Sequence, residues 1–251
     1  MRAIEFENSV STAPGAAATE GPSTRIVSIK EQVGARVEPL LGRLSARELR
    51  RRAWHMLPGF LPFLLWGTPH ADPLSPTLQL IIVGICVGLG VAIFARYRSI
   101  SRRTDGETVR SSCVLGYAGS IVAAVLLFPS APEIAFAVLA ILAFGDGSAT
   151  LFGHLVRSRP LPWNPRKSWS GFLAFVAVAV PMAALMYWGE THNPEAATPG
   201  VSYGVALLCI GFPVLAAAIA ESVPSRWNDN IRVGVVALAS MAVAQTVFVG
   251  W

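Results

Sequence analysis

The chain has 251 residues, 53% of them hydrophobic and only 14% charged. A soluble domain carries about 25% Asp, Glu, Lys and Arg, and a disordered chain is polar and poor in aliphatics, so a polytopic membrane protein remains. The 20 Lys and Arg against 15 Asp and Glu leave a net charge of +5, too small an excess to argue for a nucleic-acid partner. The three cysteines, Cys86, Cys113 and Cys209, lie in or beside apolar runs without a CxxC pair, which argues against a disulfide framework and a Cys-based zinc site.

Residues 1–23 are rich in Ala, Ser, Thr, Gly and Pro, contain no apolar signal-peptide core, and read as a disordered tail. In residues 24–50, Ile26, Ile29, Val33, Val37, Leu40, Leu41 and Leu44 recur at three- and four-residue steps among Arg and Lys. That spacing predicts an amphipathic helix, bent near Pro39, lying on lipid headgroups or packed on its own protein. Seven apolar segments follow, at about 53–68, 77–95, 112–129, 133–152, 171–188, 201–220 and 231–250. A spanning helix needs roughly 20 residues, so residues 51–251 read as an all-α domain of about seven transmembrane helices. The first segment is short and holds Pro58 and Pro62, which predicts a kinked or partly re-entrant helix.

Charge sets the expected orientation. If the amino terminus is cytoplasmic, every one of the 20 basic residues falls on the cytoplasmic side. The outer loops TPHADPLSP, PSAPE and GETHNPEAATPG contain Asp72, Glu133, Glu190 and Glu195 but no Lys or Arg. The positive-inside rule then places the carboxyl terminus outside. Gly84 and Gly88 in the second span predict close helix packing.

Asp146 lies in LAFGDGSATLF, inside the fourth span. An acid at the centre of a spanning helix costs about 2.5–3.5 kcal/mol on insertion scales, so it must be paired, hydrated or bound to a cation. Gly145 and Gly147 permit a broken helix and close approach of a ligand, which predicts a metal or phosphate site; the plainer reading is a structural salt bridge. Glu221 closes the sixth span, and Asp229 and Asn230 follow in the next loop on the same side as Asp146. Magnesium takes a few carboxylates plus substrate phosphates, although Asn228 or Asp229 also suits the cap of the last helix. Asn164-Pro165-Arg166-Lys167-Ser168 opens directly into the fifth helix, where backbone amides and cations suit phosphate. His55 follows the basic run Arg50–Arg52.

Together these residues resemble one family, the CTP-dependent lipid-alcohol kinases: dolichol kinase, phytol and farnesol kinase, and yeast-type diacylglycerol kinase, distantly related to phosphatidate cytidylyltransferase. The family motif runs Asp-x-x-Ala-x-x-x-Gly-x-x-x-Gly, then eight residues, then Lys-Lys-Thr-x-Glu-Gly. Asp146, Ala149 and Gly153 occupy its first three places, and Arg166, Lys167, Ser168 and Gly171 follow at the family spacing. Arg157 replaces a glycine, Arg166 a lysine, Ser168 a threonine and Ser170 a glutamate; the form is nearest the phytol kinase branch. Glu221-Ser222-Val223-Pro224 with Asp229-Asn230, and Glu48 with Arg51, Arg52 and His55, agree as well.

The resemblance implies a kinase that uses CTP to phosphorylate a lipid alcohol, an isoprenoid alcohol or diacylglycerol, at the cytoplasmic leaflet. Its expected parts are magnesium on Asp146 with Glu221 or Asp229, and nucleotide phosphates held by Lys167, Arg166, Ser168 and the amides of the fifth helix. Asp146 or Asp229 would orient the acceptor hydroxyl, and Gly145, Gly147, Ala149, Gly153, Gly171, Asn230, Arg52 and His55 would complete the nucleotide site. The rival expectations are CDP-lipid synthesis by a cytidylyltransferase and a non-catalytic membrane protein or transporter.

Overall fold

The computed structural model describes residues 46–66, 70–100, 111–156 and 158–251. The expected tail, the amphipathic stretch up to residue 45, and Arg157 lie outside the described residues. Prolines shape the first apolar segment. Helix α1 (Ala46–Met56) gives way to a 3-10 turn (Leu57–Phe60) and then to the short α2 (Leu61–Leu65), and the turn and α2 each have a proline in their first turn. Proline lacks the amide proton an interior helical position needs, so the predicted single span is three short pieces. Gly59 of the turn is buried; a Cβ there would stand 2.6 Å from that of Ala143 and 2.8 Å from the Phe144 ring. The break is therefore folded down onto the centre of the bundle.

Six helical segments follow in the expected order. They are α3 (Pro76–Ile100), α4 (Ser111–Leu127), a composite helix over Pro132–Val156, α7 (Trp169–Glu190), α8 (Tyr203–Ser222) and α9 (Asp229–Phe248). The composite is built of α5 (Pro132–Ala140), a π-helical stretch (Ile141–Asp146) and α6 (Gly147–Val156). Among the described residues, five of these segments are long and apolar enough to cross a bilayer, and α4 is a shorter apolar helix. The chain is an all-α polytopic membrane protein.

The composite helix is the axis of the fold, with every residue from Pro132 to Gly145 buried. Ala137, Ala140 and Ala143 on it, Ala179, Ala183 and Ala184 on α7, Ala217 and Ala218 on α8, and Ala237 on α9 are fully buried. Small side chains at helix interfaces let backbones approach closely, the main source of packing energy where lipid is as apolar as the core. Large aliphatics such as Leu80, Leu115, Leu208 and Val247 point outward instead, as a lipid-facing surface requires. The GxxxG of α3 does not pack as predicted: a Cβ on Gly84 or Gly88 would meet nothing within 4 Å. Helix α3 packs chiefly on α4, through Leu78 and Ile82, which lie on other faces of the helix.

The loops expected to share the acidic side do meet. His70 Nε2 lies 2.6 Å from Glu190 Oε1, Asn193 donates to the His70 carbonyl at 2.9 Å, and the Ala197 amide donates to Asp72 Oδ2 at 3.0 Å. Burial outweighs that amide and raises the Asp72 pKa. Deeper in, Glu133 accepts from Thr198 at 2.5 Å and from Gln245 at 3.4 Å, while Tyr187 donates to the other end of Gln245 at 2.5 Å. Phe128 stacks on Trp251, their ring centroids 5.5 Å apart. Asp146 lies 13 residues beyond Glu133, about 20 Å at 1.5 Å per residue, so the two polar clusters occupy opposite ends of the bundle.

Candidate functional site

The site begins where the central helix changes pitch. A π-helical turn accommodates an extra residue and recurs at functional positions, and here it ends at Asp146. Its glycines are packing residues: a Cβ on Gly145 would stand 2.6 Å from the Phe175 ring, and one on Gly147 would stand 2.5 Å from Met56 Cγ. Neither position has room for a side chain. Ser148 bridges the irregular backbone by donating to the carbonyls of Gly145 at 3.0 Å and Ala174 at 3.1 Å. With Met56 seated on Gly147, the last turn of α1 delivers His55, whose Nε2 lies 3.1 Å from Asp146 Oδ2. Arg52, one turn earlier, and Lys167 are close enough to act on the Asp146 charge.

Lys167 arrives on a short β-hairpin just before the fifth span. Pro160–Leu161 (β1) and Asn164–Ser168 (β2) form an antiparallel hairpin. Two side chains pin it to the end of α8: Trp163 Nε1 donates to Ser222 Oγ at 3.1 Å, and Asn164 Nδ2 to the Ser222 carbonyl at 2.9 Å. The strand then directs Lys167 at the residue before Ser222. Its Nζ bonds Glu221 Oε1 and lies 3.4 Å from Asp229 Oδ2. Arg232 Nη2 holds the other Asp229 oxygen at 3.0 Å. Partial burial disfavours the Lys167 ammonium, but the carboxylates of Glu221, Asp229 and Asp146 outweigh it and hold its pKa above the ordinary lysine value. Asn228 caps α9 by accepting from the Asn230 amide at 3.0 Å, which leaves the Asp229 carboxylate to the cluster. Arg166 is exposed on the hairpin beside Lys167.

The spacing between the two motif halves has a packing cause. A Cβ on Gly171 would stand 2.7 Å from the Ala149 carbonyl oxygen, and one on Gly153 3.2 Å from Ser168 Oγ. The small residues of α6 thus form the seat for the first turn of α7. Ser168 is that helix's cap, its Oγ accepting from the Gly171 amide at 3.3 Å. The amides of Trp169 and Ser170 are also taken, by the Arg159 carbonyl at 3.1 Å and by Ser158 Oγ at 2.7 Å. These bonds occupy the amides of Trp169, Ser170 and Gly171 within the fold, while the Ser168 oxygen accepts in its cap and keeps its own proton to donate. Gly171→Val should therefore cost about 1–3 kcal/mol through overpacking, read as a lowered thermal midpoint in detergent. An unchanged midpoint would contradict this seating.

Among the described residues, no three His, Cys, Asp or Glu side chains converge to cage a metal ion. Glu221 and Asp229 nevertheless already share one cation, the Lys167 ammonium. Two carboxylates around one positive charge fit magnesium in the mode where substrate phosphates and water supply the other ligands. Asp146, expected as the principal ligand, lies beside His55. Sequence reasoning missed Tyr117, whose ring meets His55 edge-on at 5.3 Å, and Arg232, which holds Asp229.

Comparison with curated proteins finds phytol kinases. The chain is 28% identical over 244 residues, 93% of its length, to a probable chloroplastic phytol kinase 2 of Oryza sativa subsp. japonica, of which it covers 75%. It is 25% identical over 201 residues to the chloroplastic phytol kinase 1 of Arabidopsis thaliana, covering 74% of this chain and 63% of that one. To a probable chloroplastic phytol kinase of Zea mays it is 27% identical over 220 residues, covering 82% of this chain and 69% of the relative. No family model matches the chain, and no solved structure matches it.

Proposed function

We propose that the chain is a lipid-alcohol kinase like the phytol kinases it resembles, and that it transfers the γ-phosphoryl group of CTP to the hydroxyl of an isoprenoid alcohol of the phytol class, with farnesol, polyprenols and diacylglycerol as the other candidate acceptors. The observation that carries this reading is the meeting of Asp146, Lys167, Glu221 and Asp229, from four separate segments, at the basic end of the bundle. Phosphoryl transfer asks for position and charge neutralisation more than covalent chemistry, and this cluster offers both. The excess of Lys and Arg in the loops at this end supports a cytoplasmic site, with the carboxyl terminus on the opposite face.

In this reading Lys167 leaves its carboxylates for the nucleotide phosphates, with Arg166 assisting from the exposed strand. Glu221 and Asp229 would then hold magnesium together with those phosphates, and the ion supplies neutralisation of their charge. Asp146 orients the acceptor hydroxyl and takes its proton on a carboxylate oxygen, while His55 Nε2 steadies the other. The alcohol oxygen bonds to the γ-phosphorus as the bond from that phosphorus to the β-phosphate oxygen breaks, and the nucleoside diphosphate leaves.

The test offers labelled CTP or ATP, with magnesium, to the purified protein together with phytol, farnesol, polyprenol or diacylglycerol. The expected result is a phosphorylated isoprenoid and CDP. Release of pyrophosphate would instead identify CDP-lipid synthesis, and no product with any acceptor would refute the kinase reading.

A further inference from the structure

One buried polar group beside the cluster is used by nothing in the fold. The hydroxyl of Tyr117, on α4, is buried and has no hydrogen-bond partner among the described residues. A buried donor normally finds a partner, and leaving one unmade costs free energy. The position is also held firmly. On one side of Tyr117, a Cβ on Gly116 would stand 2.6 Å from Ile231 Cγ1 and 2.7 Å from the Ile231 amide nitrogen. One turn along, Ser120 presses on Gly234 while donating to the Gly116 carbonyl at 2.7 Å. Both contacts tie α4 to the start of α9, so the phenol cannot easily swing away to find a partner elsewhere.

Three neighbours define what the hydroxyl faces. The imidazole of His55 lies edge-on to the Tyr117 ring, with the planes 77° apart. That imidazole in turn contacts Asp146, and the Asp146 carboxylate is itself near enough to act on the Tyr117 hydroxyl. Cys86 of α3 is also near enough to act on the hydroxyl, and α3 packs chiefly on α4 and presents Leu80, Ile81, Val87 and Val91 outward. The hydroxyl thus sits between the polar cluster and the bilayer-facing wall. Phosphate oxygens are matched by the cations Lys167 and Arg166; a neutral phenol in an apolar wall suits a neutral oxygen.

We infer that the Tyr117 hydroxyl hydrogen-bonds the acceptor alcohol's oxygen and places it beside Asp146. This deepens the kinase reading and rests on it. Tyr117→Phe keeps the ring and removes only the orphaned oxygen. Its kcat/KM for the alcohol should fall about 5–10-fold, the size of one lost hydrogen bond. The KM for the nucleotide should not change, and the thermal midpoint should hold or rise, because a buried unsatisfied group is gone.

Each departure from that pattern overturns the inference. Unchanged kinetics would show that the hydroxyl does not touch the acceptor. A lowered thermal midpoint, or an equal loss toward nucleotide and alcohol, would show a structural role. Wild-type protein that phosphorylates none of the four alcohols would overturn the kinase reading and this inference with it, whereas an active wild type with an unaffected variant would remove the inference alone.

Discussion

Asp146→Asn is expected to reduce kcat by at least about 100-fold and as much as 10,000-fold, the usual range for loss of a positioned general base. The substitution changes one oxygen to nitrogen on a side chain only 17% exposed, so volume and packing are kept. An amide fits the same space beside His55, and the π-helical turn does not depend on the carboxylate, being bridged through Ser148 and the backbone. The variant should therefore insert and purify like the wild type. What it loses is a proton acceptor and a negative charge beside the reacting hydroxyl. Single-turnover measurement with saturating nucleotide and alcohol isolates that step. Turnover within about threefold of wild type would remove Asp146 from the chemistry and leave it a structural partner of His55.

The helical frame was legible in the sequence because bilayer thickness fixes how long an apolar run must be. The break after Met56 was legible through Pro58 and Pro62, and the irregularity at Asp146 through its two glycines. Gly-Asp-Gly reads equally as room for a ligand and as room for packing, and the packing of Phe175 and Met56 on these glycines is visible only in the fold. Ser168 is ambiguous for the same kind of reason, since a hydroxyl before a helix can cap its amides with its oxygen and donate its proton to a bound anion, and the bond present within the fold is the cap. The hairpin depends on Trp163 and Asn164 finding Ser222, some 60 residues away, and periodicity carries no signal for such a contact. Tyr117 could not be singled out because an aromatic within an apolar run looks like packing until its hydroxyl is seen without a partner. That Asp146 and Lys167 belong to one site was what the family resemblance implied, and the seat of Gly171 on Ala149 gives the motif spacing a physical reason.

Lys167→Met should abolish activity and also destabilise the protein, and the two losses can be separated. Glu221 is only 4% exposed and Lys167 is its cationic partner. Removing one member of a buried pair strands the other charge, typically at about 3–5 kcal/mol; the ammonium is 28% exposed here, so the lower end applies. The raised Lys167 pKa carries the same sign. The pair's stabilisation is complete below the ordinary lysine value and is lost only as pH climbs through the raised one. Pairing the change with Glu221→Gln removes the stranded charge, so Lys167→Met/Glu221→Gln should recover most of the thermal midpoint in detergent. Activity should not return, because the phosphates still lack their cation. If the double variant regained both stability and turnover, Lys167 would be a structural counter-ion for Glu221, and the nucleotide would have to be gripped by other residues.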